Sequence, residues 1–268
     1  MNQTIAPVGD LFRSWREQRH LSQLDLATEA EISQKHLSFI ESGRSAPSRE
    51  MVLRLAEHLD VPLRERNALL MAAGYAPIFR DRPLTDPALE KARTAIDLLL
   101  KAHEPNPALT VDRDWTMVAA NASVASLLIG VDPSLLKPPV NVMRVSLHPR
   151  GLAPLIVNLA EWRAHLIDRL RRQHRLTRDP AIDGLLKELA GYHAGAGRQV
   201  DHPAQSHQDE VAVPLRLRTH AGTLSFLSTV TVFGTPVEIT LSELSLEAFY
   251  PADDTTAAAM LAMSRNRP

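Results

Sequence analysis

Gln34, Lys35 and Ser38 fall within little more than one helical turn, and each side chain can hydrogen-bond to a nucleobase edge. A glutamine amide pairs bidentately with adenine, and a lysine ammonium reaches O6 and N7 of guanine. Gln23 and Arg44 bracket them with groups suited to phosphate. The first stands beside the free N–H groups of a helix start, the second just past a helix end. Ser33 joins the set as the residue that opens the helix carrying Gln34. Such side chains read a sequence only when a rigid element presents them together.

That element is written into Ser22 to Gly43. Ser22 is an N-cap with Asp25 three residues on, which makes a capping box. Leu24, Leu26 and Ala27 supply an inward face, Ala30-Glu31-Ile32 a corner, and Ser33 a second cap. Leu37 and Ile40 form the buried stripe of the next helix, which stops at Gly43, a residue at ease in the left-handed region. Spacing alone leaves Phe39 open to the core or to the polar face. The pattern predicts a helix-turn-helix. Around it stand a helix from Gly9 to Arg19, a fourth helix opened by Pro47-Ser48 and a fifth from Pro62 to Gly74. In the first of these, Leu11, Phe12 and Trp15 face inward, and Arg13, Arg16 and Arg19 face outward. The expectation is an all-α, five-helix domain over residues 1–78.

Ser22-Gln23, Ala27, Ile32-Ser33, Leu37, Ile40-Glu41-Ser42-Gly43-Arg44 and Pro47-Ser48 together resemble the XRE family of helix-turn-helix repressors, similar to the lambda-type repressors. The resemblance runs from about Val8 to Tyr75. It implies a lambda-repressor-like fold, double-stranded operator DNA as partner, and binding as a homodimer on a two-fold site. It also turns Phe39 toward the groove, where the ring can touch a thymine methyl.

The 268 residues suffice for two domains with their own cores. A net charge of −1 argues against a protein held on nucleic acid by bulk charge, but not against a locally basic reading face. The chain has no cysteine, which excludes a disulfide scaffold and fits a reducing cytoplasm. No basic-then-apolar leader is expected at the start, and no membrane span, because the longest uncharged stretch, Trp115 to Val131, is short and carries Asn and Ser.

Residues 79–104 read as a linker, rich in proline and charge, followed by a connecting helix. Asp86-Pro87 caps that helix, and Leu89, Ala92, Ile96, Leu99 and His103 make its stripe. It either joins the domains or pairs with a second subunit. From Pro105 the expected order is a hairpin over Leu109–Val111 and Thr116–Ala120, then a short helix capped by Asn121. An apolar, β-leaning run over Asn141–Leu147 follows, then a long helix from Pro154 and another from Asp179-Pro180. Three late strands, over Val211–Leu217, Leu224–Val232 and Val237–Ala248, close the domain, the last with a bulge or break near Ser242-Glu243. Such an order is that of an α+β, PAS-like domain over 105–255, with a C-terminal tail at 256–268.

Trp115, Ala119-Ala120-Asn121, Asn141, Leu147-His148-Pro149, Ile156-Val157-Asn158, Phe233-Gly234-Thr235-Pro236 and Phe249-Tyr250-Pro251-Ala252-Asp253 resemble the MmyB-like ligand-binding domain. That resemblance implies a PAS-like fold that binds a small, largely apolar effector, fatty acids first among the classes to test. Val111, Trp115, Val118, Trp162, Phe226 and Val230 are candidates for an apolar pocket, or for plain core. A carboxylate would want a cation at the mouth, and Arg144, His148 and Arg150 lie closest to the apolar run, with Asn158 on the next helix.

No catalytic residue, metal or cofactor is expected. His193, His202 and His207 lack ligand spacing, and Gly195-Ala196-Gly197 follows a helix rather than a strand. No nucleophile elbow, phosphate loop or zinc helix is present to support an enzyme. The remaining alternative is an antitoxin-like protein whose second domain grips a partner protein.

Overall fold

The computed structural model describes residues 6–192, 213–233 and 238–265. In chain order the helices are α1 (Val8–Gln18), α2 (Gln23–Glu29), α3 (Gln34–Glu41), α4 (Arg49–His58), α5 (Leu63–Ala72) and α6 (Glu90–Ala102). They continue as α7 (Ala122–Leu127), α8 (Val142–Leu147), α9 (Leu159–Thr177), α10 (Pro180–Ala190), α11 (Ile239–Ser242) and α12 (Asp254–Arg265). The strands are β1 (Ala108–Val111), β2 (Met117–Ala120), β3 (Leu215–Thr219), β4 (Gly222–Val232) and β5 (Ser245–Pro251). Of the described residues, 6–83 and 238–242 form one compact unit, and the remainder a second.

The first unit is the expected five-helix domain. Phe12, Leu26, Leu37, Ile40, Leu55, Leu59, Leu69 and Leu70 fill its core, each large apolar side chain worth about 1.5–3 kcal/mol of burial. Gly9 lets α1 lie directly against the end of α3, because a Cβ there would stand 2.4 Å from the Ile40 carbonyl oxygen. All five helices end on a left-handed residue, and the next N–H closes back on the helix: Leu21 to Arg16, Ile32 to Ala27, Arg44 to Phe39, Val61 to Ala56 and Tyr75 to Leu70, at 2.8–3.1 Å. At three of these ends the left-handed residue is not glycine but His20, Glu31 or Asp60.

Several local expectations are corrected here. Leu24 is not inward; it lies 57% exposed on α2. Arg16 is not outward; it is buried against α3. Part of the expected linker is pinned. The Asn67 carboxamide accepts from the N–H groups of Ile78 and Phe79 and donates to the Phe79 carbonyl. Residues 238–242 belong to this unit as well, with the Ile239 N–H donating to Arg80 O and the Thr240 hydroxyl to Arg82 O.

The second unit is α+β and PAS-like, an antiparallel five-stranded sheet in the order β2-β1-β5-β4-β3 with helices packed on it. Its core gathers Leu109, Trp115, Met143, Leu147, Trp162, Leu166, Leu170, Leu217, Phe226 and Met260. The connecting helix α6 buries Ile96 and Leu100 and lies against β1. It starts as a 3₁₀ turn at Pro87–Leu89, where Asp86 caps Ala88.

Here too the chain departs from the sequence reading. Asn141–Leu147 is helical, not strand. Asn141 accepts from the Arg144 N–H as an N-cap, and the i, i+4 pair Met143 and Leu147 is buried; so short an apolar run does not settle the period. The long helix begins at Leu159 rather than Pro154. Ile156 first bridges Leu217, and Asn158 holds Pro214 O and the Arg216 N–H. Asn121 makes no side-chain cap; its carboxamide ties Ala108, Leu100 and Asn106 together instead. The first part of the third late strand is the helical turn α11, and the strand proper starts at Ser245, just past the expected break. Residues 256–265, read as tail, belong to α12, which buries Thr256 and Met260. Val211 and the histidines His193, His202 and His207 lie outside the described residues.

Candidate nucleic-acid interface and ligand cavity

Both caps of the helix-turn-helix form as written. Ser22 Oγ accepts from the Asp25 N–H at 3.1 Å and Asp25 Oδ2 from the Ser22 N–H at 2.9 Å. Ser33 Oγ accepts from the His36 N–H and starts α3. The corner falls on Glu31 at φ 54°. On the outer side of α3, Ser33, Gln34, Lys35 and the following Arg44 are exposed, while Ser38 and Phe39 are half-buried. Phe39 is neither core nor isolated. The Lys35 ammonium stands 5.6 Å from its ring centroid and the Arg44 guanidinium 5.9 Å, so the ring gathers two cations onto one patch.

The inner side of α3 is fixed by Glu41, a feature missing from the sequence reading. Its carboxylate accepts from Arg16 Nε at 2.7 Å and Arg16 Nη2 at 3.0 Å, and from Gln23 Nε2 at 2.8 Å. Arg13 donates to the Glu41 carbonyl at 2.9 Å. Three helices thus meet on one buried anion. Burial pushes the Glu41 carboxyl up, but the hydrogen bonds from Arg16 and Gln23 and the charges of Arg16 and Arg13 outweigh it and hold it below the ordinary range. The same hydrogen bond pushes Arg16 further up. Gln23, singled out for phosphate, therefore has its amide turned toward Glu41. The clue in the sequence was a charged residue, Glu41, next to Ile40 on the inward stripe, with arginines one helix away.

The second unit holds a cavity of about 90 Å³. Leu109, Met117, Val124, Met143, Leu166 and Leu217 are among its apolar lining, together with Trp115 and Trp162. Two other lining side chains among the described residues are polar, Ser146 and Glu247. Both indoles are locked from outside: Trp162 Nε1 donates to Ser146 Oγ at 2.9 Å, and Trp115 Nε1 to Gln173 Oε1 at 2.7 Å. Trp115 sits at φ 63°, where a bulky residue is strained, with the Arg169 guanidinium 4.6 Å over its ring. His165 stacks on Trp162, and burial, then the charges of Arg169 and Arg172, push its imidazole pKa down.

Of the ten residues selected for this domain, Trp115 and Trp162 line the cavity. Val111 and Phe226 are buried in the core outside its wall, and Val118 and Val230 are exposed. Asn158 is occupied by the β3 edge. Arg144 forms a two-pronged pair with Glu188 at 2.7 and 2.8 Å, Arg150 pairs with Asp132 at 2.8 Å, and His148 packs edge-on against Tyr192. None of these three reaches the wall. Tyr192, donating to Glu188, has its phenol pushed up to about 12, by burial first and then by that bond. Glu247 went unread because Leu246 and Ala248 suggested the opposite inward phase for β5.

A helix-turn-helix with an open polar face, joined to an α+β unit around an apolar cavity, defines a ligand-sensing transcription regulator. The sequence matches the helix-turn-helix family over residues 12–66 and the MmyB-like transcription regulator ligand binding domain over residues 92–262. The chain belongs to the MmyB-like transcription regulator family. No curated protein matches it. Among the described residues, no helix is long and apolar enough to cross a membrane, and no His, Asp and Glu cluster could hold a metal.

Proposed function

We propose that this protein binds operator DNA sequence-specifically as a homodimer, and that a small, mainly apolar effector, of the fatty-acid type, sets its DNA affinity. Gln34, Lys35, Ser38 and Phe39 read base edges in the major groove, while Ser33, Arg44 and the second amide N–H of Gln23, the one not given to Glu41, hold the backbone. The observation that carries the effector half is the nearly all-apolar lining of the cavity. It favours a small molecule over a domain that grips a partner protein. At about 90 Å³ the cavity is smaller than the roughly 150 Å³ that accepts benzene in an engineered core. An alkyl chain therefore enters by displacing wall side chains such as Met117 and Met143, which are flexible enough to yield. That displacement supplies the difference between free and bound states on which a switch depends.

The test is direct. A duplex selected from a random pool by the full-length protein is titrated in the presence and absence of saturating straight-chain fatty acid. A change in operator affinity of tenfold or so is expected, within the range of allosteric coupling. An affinity that never moves removes the switch, and failure to retain any duplex at low salt removes the DNA reading.

A further inference from the structure

The connection between β4 and β5 does not stay with its own strands. Residues 238–242, which include the turn α11, are built into the first unit. Arg80 and Glu238 form a parallel bridge, the Ile239 N–H donates to Arg80 O at 2.8 Å, and the Thr240 hydroxyl donates to Arg82 O. Glu238 pairs with Arg82 at 3.7 Å, α11 packs on α5, and Ile239 is 2% exposed. The chain returns to the second unit at Glu243, whose carboxylate takes Arg113 Nη1 at 3.4 Å, and the next residue, Leu244, is buried as deeply as Ile239. Little free chain separates the two anchors. Directly after Leu244 comes β5, which pairs with β1 on one edge and β4 on the other and carries Phe249 into the cavity wall. The joint between Pro83 and Leu84 leads instead into α6, which supplies none of the described lining.

We propose that residues 238–242 are a finger that docks on Arg80 and Arg82 and is drawn off when the effector fills the cavity. This rests on the cavity being the effector site, and it names the route from that site to the DNA-binding unit. An alkyl chain that enters by displacing wall side chains moves the wall. β5 is hydrogen-bonded on both edges, so it shifts as one piece, and close packing at Leu244 passes the shift on. What holds the finger is light: two hydrogen bonds, one ion pair and one buried isoleucine, within reach of the energy of a bound ligand. Docked and released are then two states for which the effector has different affinities, which a switch requires. A docked finger holds the first unit at a second joint. A released one leaves it on the linker alone, and two copies lose the fixed spacing of their reading helices that a two-fold operator needs. The effector therefore lowers operator affinity.

The probe is sodium decanoate, and the protein is the full chain, wild type against the double variant Ile239→Ala with Thr240→Val. In the wild type, saturating decanoate should weaken the selected duplex about tenfold and speed hydrogen exchange at the Ile239 N–H by a similar factor. The double variant should bind the duplex as weakly without decanoate as the wild type does with it, and decanoate should change that affinity by less than about twofold. By reciprocity it should also bind decanoate about tenfold more tightly, because no finger has to be released. A merely damaged fold does not gain affinity. Should the variant not fold, exchange at Ile239 in the wild type decides. A double variant that keeps the wild-type response or gains no affinity for decanoate, or exchange at Ile239 indifferent to bound decanoate, overturns the finger and leaves the sensing role standing. Decanoate that does not bind, or binds without moving the wild type's operator affinity, removes the effector switch and the finger with it.

Discussion

The two units each bury a glutamate beside an arginine, and they use it in opposite ways. Glu41 accepts three hydrogen bonds from Arg16 and Gln23 and ties α1, α2 and α3 together. Glu247 pairs with Arg169 alone, at 2.7 Å, on a strand that forms part of the cavity wall. A buried charge answered from two other helices is a rivet: it holds α3 at one angle. A buried charge held by one partner ties only α9 to β5. The number of elements tied together, rather than burial or charge, separates the two.

The comparison breaks most visibly at Glu41. Glu41→Gln leaves Arg16 buried without its anion, and should cost the first unit about 3–5 kcal/mol, read by denaturant unfolding followed through Trp15 fluorescence. Acid should expose the same rivet. Because the folded carboxyl is held below the ordinary value of 4.5, its contribution is complete above that value and is lost as pH falls through the depressed one. The wild type should therefore lose stability in this acid window, and Glu41→Gln should lose correspondingly less. Glu247→Gln should cost much less, about 1–2 kcal/mol, since Arg169 remains partly exposed and keeps the Trp115 face. Equal costs at the two sites would erase the distinction.

The first unit was more legible than the second for a physical reason. Its caps, glycine stops and 3.6-residue stripes are local, so Ser22, Ser33, Gly43 and Ile40 announce themselves. What stayed hidden depended on distant partners: Arg16 reads as a surface arginine until Glu41 lies beside it. The second unit depends on pairing between remote segments. Asn141–Leu147 has too few residues to display a period, and β5 takes its phase from β1 and β4 rather than from its own apolar residues. The cavity was legible through its two tryptophans, whereas its polar group was not. The cations next to the apolar run were drawn off by Glu188 and Asp132, acids distant in sequence.

On the reading face the expected effects are smaller and fall on binding rather than folding. Arg44→Ala should weaken all duplexes alike, lower the salt slope by about 1 and change stability by less than about 0.5 kcal/mol. Lys35→Ala should instead relax the preference at one base position. The two can be told apart by selecting from the same random pool at two salt concentrations.

The smallest effect tests the turn that aims α3. Glu31 closes α2 at φ 54° with an exposed side chain, where an L-residue pays roughly 1–2 kcal/mol that glycine avoids. Glycine gives back about 0.5–1 kcal/mol through its freer unfolded chain. Glu31→Gly should therefore stabilise the first unit by up to about 1 kcal/mol and leave operator affinity unchanged, since Ile32 still closes the turn on Ala27. Trp115, at φ 63°, is the counterpart in the second unit, but its ring is cavity wall, so relaxing its backbone costs the site. If Glu31→Gly lowered operator affinity while raising stability, the turn would be a tuned part of the reading machinery, and strain, like the buried charges, would have to be judged by what it holds in place.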